Sequence, residues 1–414
     1  MPASRIRAEY ILRTAGDPQT VAAVIAGEQS SGTFIRLAGE SDALRDRSAA
    51  RVESLEEVSD SGLPALPGAK PGRLRSFRMI LSWPMAIVGP SLPNLVATVA
   101  GNLFELADVA GLKLLDLHLP AEFSDPQPGP AFAVEGTRRL SGVSEGPLIG
   151  TIIKPSVGLS PEETAALVEQ LVLGGIDFIK DDELQADGSV CPFDARARAV
   201  MAVIKRHADR TGRRVMYAAN LTGDLDEMRR RHDLLCELGG TCAMLSLNSV
   251  GLAGALAFRR HSELPIHAHR NGWGYLGRSP DNGWSFSAWS KLWRLAGVDH
   301  MHVNGIANKF WEPDDSVIAS ARSLLTPLHP DRPMTVMPVF SSGQTVWQAH
   351  ATWDRLGSAD LIHCAGGGII GHPAGTAGGV RALREAWDAA RSGVSLERAA
   401  AGSTLLAQAM ETFR

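Results

Sequence analysis

The stretch Gly174-Gly175-Ile176-Asp177-Phe178-Ile179-Lys180-Asp181-Asp182-Glu183 reads as a buried strand that closes on one lysine and three acids. Charges at the end of an apolar strand are costly to place unless they pair or hold a metal. Outward from this stretch the chain keeps a regular beat from Pro147 on, apolar runs alternating with amphipathic segments. Strands are expected at 148–155, 176–182, 214–221, 242–248, 265–270, 300–304, 335–341 and 360–365. Helices fit between them, among them 160–173, with Ser160 as N-cap and acids in its first turn. The last helix spans roughly 376–392. A doubly wound open sheet would also alternate, but eight evenly spaced βα units over about 250 residues favour a closed TIM barrel.

Residues 1–120 lack that beat. Strands are expected at 5–14, 51–58 and 74–83, and a helix at 18–26 that ends at Gly27. The segment 28–34 is a polar, glycine-containing loop, 62–72 is a Pro/Gly-rich linker, and 92–106 carries a helical pattern with Gly101-Asn102 inside it. Residues 119–136 are rich in proline and polar groups and mark a domain boundary. The expected organisation is an N-terminal α+β domain of ferredoxin-like type (1–125) and a (β/α)8 barrel domain carrying the active site (126–414).

Composition bounds the function. A chain of 414 residues with net charge -4 and 44% hydrophobic residues has room for one large domain and a smaller one. It has no basic runs, which argues against nucleic acid as a partner. Four cysteines without a CxxC pair form no disulfide framework, and a reducing cytoplasm is expected. The N-terminus lacks the apolar core of a signal peptide. No apolar run approaches the roughly 20 residues that span a bilayer, so no membrane partner is expected.

In a TIM barrel the chemistry sits at the C-terminal ends of the strands. There the sequence places Lys154, Lys180 to Glu183, Asn220, His267 to Asn271, His300 and His302, Ser341 to Gly343, and Gly366 to Gly368. Polar groups on nearly every strand, converging on one rim, are hard to explain as packing. Lys180 and Asp182 share a strand face, and carboxylate oxygens suit a hard cation such as Mg²⁺. A solvated turn with a lysine ion pair is the plainer alternative. The glycine runs after strands seven and eight offer backbone N–H groups where barrels of this kind bind phosphate; loop flexibility would also use glycine. His267 with His269, and His300 with His302, could form a zinc site, could bind phosphate through His302 with Arg270, or could be core histidines. Lys154 is either a proton-transfer group near a cation or an ion-pair partner of Asp182 or Glu183. Lys309, seven residues past His302 on the sixth βα loop, is a lid group or a surface lysine. Trp284, Trp289 and Trp293 read as core or interface packing.

Taken in order, these strand ends resemble those of ribulose-1,5-bisphosphate carboxylase/oxygenase. The resemblance runs through Glu28, Gly32-Thr33, Gly101-Asn102-Leu103-Phe104, Ile153-Lys154-Pro155, Gly175 to Glu183, His267 to Arg270, Asp299 to Lys309, Met337-Pro338-Val339 and Gly366 to Pro373. The chain is most similar to the RuBisCO-like proteins, form IV of that family, which do not fix CO₂. The resemblance implies that Lys180 takes up CO₂ as a carbamate and binds Mg²⁺ together with Asp182 and Glu183. It makes Lys154 a proton-transfer group and sets His269 beside the substrate. It gives one phosphate to Arg270 and His302, and lines a second oxyanion site with Ser341, Gly343, Gly366 and Gly367. Glu28, Thr33 and Asn102 would reach into the barrel of a second subunit, so a homodimer or a higher multiple of dimers is implied, with no small subunit.

The departures from the family are Ser156 where it has a second lysine, Phe34 for tryptophan, Ser342 for glycine, and Phe310-Trp311-Glu312 after Lys309 for Leu-Glu-Gly. They point away from carboxylation and toward a different, mono-phosphorylated substrate. What is retained suits an enolate stabilised at Mg²⁺. In the family the lysine at 309 faces a substrate carboxylate, and loss of CO₂ from a 3-oxo acid yields such an enolate. The expected reaction is therefore decarboxylation of a 3-oxo sugar-acid phosphate. An enolase or isomerase acting on a phosphorylated ketose, as in methionine salvage, is the alternative. His-x-His with a carbamylated lysine also occurs in amidohydrolase-type metal-dependent hydrolases, though there it belongs on the first strand. A non-catalytic member is opposed by the intact Lys154, Lys180, Asp182 and Glu183.

Overall fold

The computed structural model describes residues 4–31 and 39–414. Thr33 and the rest of the segment 32–38 lie outside the described residues. The strands are, in chain order, β1 (Arg5–Thr14), β2 (Arg51–Val58), β3 (Arg75–Pro84), β4 (Gly111–His118), β5 (Leu148–Ile152), β6 (Phe178–Lys180) and β7 (Met216–Asn220). They continue with β8 (Cys242–Ser246), β9 (Ile266–His269), β10 (Asn282–Trp284), β11 (His300–His302), β12 (Met337–Phe340) and β13 (Ile362–Cys364). Two compact units result: Met1–Pro128 with Gly272–Leu295, and Gly129–Asn271 with Ala296–Arg414. Among the described residues no helix is long and apolar enough to cross a membrane.

The first unit is a five-stranded sheet in the order β10-β4-β1-β3-β2. With the helices Pro18–Glu28 and Leu92–Val99 between its strands, β1 to β4 make the βαββαβ pattern of ferredoxin-like domains. The helical pattern expected over 92–106 is broken. The helix stops at Val99 and a 3₁₀ turn follows at Asn102–Phe104. Gly101 sits at the break, where a Cβ would lie 2.4 Å from the Ala97 carbonyl oxygen.

β4 and β10 were not legible in the sequence. β4 carries a buried lysine as its third residue, and β10 has three residues. Trp284 belongs to β10 rather than to a helix, whereas Trp289 and Trp293 lie on the helix Phe286–Ala296, with ring centroids 5.6 Å apart. Lys113 Nζ donates to the carbonyls of Gly277 (2.9 Å), Ser279 (2.5 Å) and Asn282 (3.2 Å), which fastens the segment 272–295 to β4. Burial holds this ammonium down to about 8, against a smaller opposing pull from Asp281. A lysine whose folded pKa is depressed costs stability below that value, and the cost fades as pH rises toward its unfolded value. Urea melts from pH 7 to pH 10 should therefore show a stability rise in the parent that is smaller in Lys113→Met. Equal slopes would contradict this account.

The second unit is a closed barrel of eight parallel strands, in the order β11-β12-β13-β5-β6-β7-β8-β9. Each strand falls inside the stretch expected for it, shortened at one or both ends, because strands buried on both faces read as apolar runs. The register aligns Ile152 with Lys180, Lys180 with Ala218, Met244 with His267, His302 with Val339, and Cys364 with Gly150. These are alternate positions and share the interior face. The interior is filled by Leu148, Phe178, Met216, Met244, Met337, Val339 and Ile362, each at most 1% exposed. The helix Pro161–Leu173 has the expected Ser160 cap, closed by Glu163 into a capping box. The helix Thr376–Arg391 is not the last; Leu396–Ala401 and Thr404–Thr412 follow it.

Candidate active site

Above the apolar layer, Lys180 closes β6 with its side chain fully buried. Its ammonium donates to the Asp181 carbonyl at 2.7 Å and lies 3.8 Å from Glu183 Oε2. Burial lowers its pKa below the ordinary 10.5, and the nearby carboxylates, Glu183 foremost, oppose that shift. The buried Cys364 thiol, pushed up to about 12 by burial, supplies a neutral wall at the end of β13.

The three acids after Lys180 separate by the alternation of the chain. Asp181 turns away from the mouth and accepts from Arg196 Nε (3.2 Å), Tyr217 OH (2.6 Å) and the Asn220 backbone N–H (2.9 Å). Asp182, 2% exposed, accepts from Lys154 Nζ at 2.6 Å and from the Leu184 N–H at 3.1 Å. Burial raises the Asp182 pKa, but its hydrogen bonds and the Lys154 and Lys180 charges outweigh that and hold it below the usual range. Glu183 is the more open of the pair, its side chain 31% exposed, and lies 3.3 Å from His269 Nε2. Asn220 braces this turn: its amide donates to the carbonyls of Asp182 (3.1 Å) and Glu183 (3.2 Å), and its oxygen accepts from the Thr222 N–H (3.1 Å).

Lys154 stands two residues past β5, in a cis peptide to Pro155, and also donates to Ser156 Oγ at 2.7 Å. Of the two readings open in the sequence, the ion pair to Asp182 is present, and it leaves the lysine at the rim. His269 accepts the Asn271 N–H at Nδ1 (3.3 Å), which in the neutral ring leaves the proton on Nε2, facing Glu183. Burial, with the Lys180 charge second, lowers the His269 pKa to about 4. His267 and His302 meet through their Nε2 atoms at 2.9 Å, and His302 Nδ1 meets Ser341 Oγ at 2.9 Å. His300 bonds Thr137 at 2.8 Å, below the mouth. The four histidines therefore do not converge on one point as zinc ligands would.

The loops after β11, β12 and β13 complete the rim. The Lys309 backbone N–H donates to Ser342 O (3.4 Å), and its ammonium lies 5.2 Å from the centre of the Phe310 ring. Asn304 (φ 68°) and Ser342 (φ 73°) both hold left-handed backbone, which costs on the order of 1–3 kcal/mol each. They are joined by a 2.9 Å bond from Ser342 Oγ to Asn304 Oδ1. Gly343 sits beside Lys309, and Gly366 beside Lys154, each with 3.7 Å between its Cβ position and the lysine. Gly366 caps the short helix Gly367–Ile370. Arg270 directly follows β9 and pairs with Glu312 at 2.5 Å.

In the first unit, Asn102 Nδ2 donates to Glu28 Oε1 at 3.4 Å, which brings together two of the three residues assigned to a partner's site. The sequence reading gave no role to Asn220, Arg196 or Glu312. Asn220 could have been found from its place at a strand end. The other two act through contacts that no local pattern announces.

A barrel whose mouth holds a buried amine, two adjacent carboxylates, two rim lysines and glycine-rich loops has the layout of an α/β-barrel enzyme. Residues 133–413 match the catalytic domain of the ribulose bisphosphate carboxylase large chain, and residues 8–123 its N-terminal domain. The chain belongs to that family, among its RuBisCO-like proteins. It is 58% identical to the 3-oxo-isoapionate-4-phosphate transcarboxylase/hydrolase of Xanthobacter autotrophicus, covering 99% of each chain. It is 40% identical to the 3-oxo-isoapionate-4-phosphate decarboxylase of Rhizobium etli, covering 98% of this chain and 97% of that one. Among solved structures, a rubisco-like protein from Burkholderia fungorum superposes with a TM-score of 0.92 at 45% identity, over 98% of this chain and 99% of the other.

Proposed function

We propose that the protein cleaves the bond to the carboxylate of a phosphorylated 3-oxo sugar acid, of the 3-oxo-isoapionate 4-phosphate type, by a Mg²⁺-dependent decarboxylation through an enolate. The observation that carries this reading is the buried Lys180 amine set beside Asp182 and Glu183, in a chain 58% identical to an enzyme named for that substrate. The donor set fits Mg²⁺. Asp182 and Glu183 offer carboxylate oxygens, and Lys180, whose pKa burial lowers, would add to CO₂ in its neutral amine form, releasing one proton and gaining a carbamate oxygen. Mg²⁺, when bound, supplies Lewis-acid polarisation of the 3-oxo group.

The chain's own residues do the rest. The glycine N–H groups of Gly343, Gly366 and Gly367, with Ser341, bind the phosphate; Arg270 and His302 stand at the C-terminal ends of β9 and β11, where Arg270 is paired with Glu312. Lys309 faces the carboxylate and orients it for departure. Once CO₂ has left, Lys154 delivers a proton to the enolate carbon, and Asp182 keeps that ammonium aimed. Neutral His269 steadies Glu183 and stands beside the substrate. The active unit is a cytoplasmic homodimer, or a multiple of it, in which Glu28, Thr33 and Asn102 of one subunit complete the barrel site of the other.

Incubation with 3-oxo-isoapionate 4-phosphate labelled at the carboxyl carbon tests the reading, with label expected in CO₂. Label in a second organic product instead would establish carboxyl transfer or hydrolysis, a variant favoured by the name of the 58% identical relative. Exchange of a C–H proton with all label retained would overturn the proposal in favour of an enolase or isomerase.

Asn220 is a positioning residue for the carboxylates. Asn220→Ala removes both bonds that hold the Asp182–Glu183 turn, and it should weaken Mg²⁺ activation by about 10–100-fold. Saturating Mg²⁺ should restore most of kcat. An unchanged Mg²⁺ dependence would show that the turn holds itself.

A further inference from the structure

Glu312 lies on the loop between β11 and the helix Asp314–Leu325, and it is 4% exposed. One of its oxygens accepts from Arg270 Nη2 at 2.5 Å and from Asn304 Nδ2 at 2.7 Å. The other accepts from Ser316 Oγ at 3.0 Å. Its backbone is held as well: the Glu312 carbonyl accepts from Asn308 Nδ2 at 3.0 Å, and Pro313 caps the helix that follows. Glu312 is thus a fixed, buried group and not a mobile surface acid. A guanidinium, an amide and a hydroxyl converging on one anion form the donor set with which proteins grip phosphate. Here a side chain of the same subunit already receives it.

His302, beside this pocket, adds no positive charge. Both ring nitrogens are engaged by His267 and Ser341, and burial holds the ring neutral. A phosphate brought to Arg270 would face the Glu312 carboxylate and would have to displace it from three donors. At the glycine-lined loops after β12 and β13 a Cβ on Gly367 would meet nothing within 4 Å, and the Cβ positions of Gly343 and Gly366 lie nearest to atoms of Lys309 and Lys154.

We propose that Glu312 permanently fills the anion pocket of Arg270 and Asn304, so that the protein takes substrates with one phosphate, bound at the glycine loops, and rejects bisphosphates. The inference rests on the reading of the mouth as a sugar-phosphate site and narrows its substrate class.

The test is calorimetric binding of a ketopentose 5-phosphate and the matching 1,5-bisphosphate to the full-length protein with Mg²⁺. In the parent the second phosphate should add less than about threefold in affinity, because it meets a neutralised pocket. In Glu312→Gln the amide oxygen still accepts from Asn304 but the charge is gone. The bisphosphate should then gain about tenfold or more, and the monophosphate less than about threefold. A parent that prefers the bisphosphate by more than about tenfold, or a Gln variant with an unchanged ratio, overturns the proposal. The parent comparison stands alone if the variant does not fold. CO₂ release from the 3-oxo acid, followed in parallel, separates two failures. No release with intact monophosphate selectivity would remove the reaction but not the pocket. Release with a bisphosphate preference would remove only the role of Glu312.

Discussion

Lys180→Met is expected to lose about a thousandfold in kcat/KM while melting no lower than the parent. The first half follows from position: the amine at the end of β6 is the group next to both Asp182 and Glu183 that can acquire a third oxygen for a hard cation. The second half follows from the direction of its pKa. Burial holds the folded amine below the ordinary 10.5, so between the two values the unfolded chain binds more protons. The penalty is fully present below the folded pKa and vanishes as pH rises past 10.5. Methionine matches the volume without the charge, so the variant sheds the penalty at pH 7. The checks are thermal unfolding beside turnover, and pre-incubation with bicarbonate and Mg²⁺, which should activate the parent alone. Retained turnover would remove Lys180 from the chemistry. A clear fall in Tm would make its contacts with Asp181 and Glu183 structural.

Asp181→Ala, one residue along, should give the opposite profile at the level of stability. It strips the partner from Arg196, which is about as buried as Asp181 itself, and orphans the Tyr217 hydroxyl and the Asn220 N–H. Burial lowers the Arg196 pKa, but Asp181, Tyr217 and Cys191 together outweigh it and the guanidinium stays firmly charged. An unpaired buried charge costs about 3–5 kcal/mol, read as a loss in unfolding free energy from denaturant melts. Some activity should go with it, since Asn220 is held by Asp181 and in turn holds the Asp182–Glu183 turn. A loss under about 1 kcal/mol would mean that water or a neighbour replaces the carboxylate.

Lys180 and Asp181 differ by one place, and their contrast shows how much of the site a sequence can carry. Alternation along β6 sends Lys180 inward and Asp181 toward the helix Phe193–Thr211, which is a local rule and therefore legible. That Asp181 would meet Arg196 on that helix was not legible, since it depends on how the helix packs against the barrel. The same holds for Arg270. Its place at the end of β9 was readable; its partner Glu312, 42 residues on, was not. β4 was missed for a related reason. Lys113 interrupts the apolar run, and only the carbonyls of Gly277, Ser279 and Asn282 make its burial tolerable.

By itself the sequence determined the eight strands of the barrel, the residues that stand at their C-terminal ends, and the family to which the chain belongs. The first two are consequences of local periodicity and of strand ends marked by charge and glycine, and the family follows from the resemblance those strand ends carry. Only the tertiary structure decided how those residues pair: Lys154 with Asp182, Glu183 with His269, His267 with His302, Arg270 with Glu312. Pairing depends on the stagger of neighbouring strands and on where a long loop lays its side chains down, and both are set by closing the barrel as a whole.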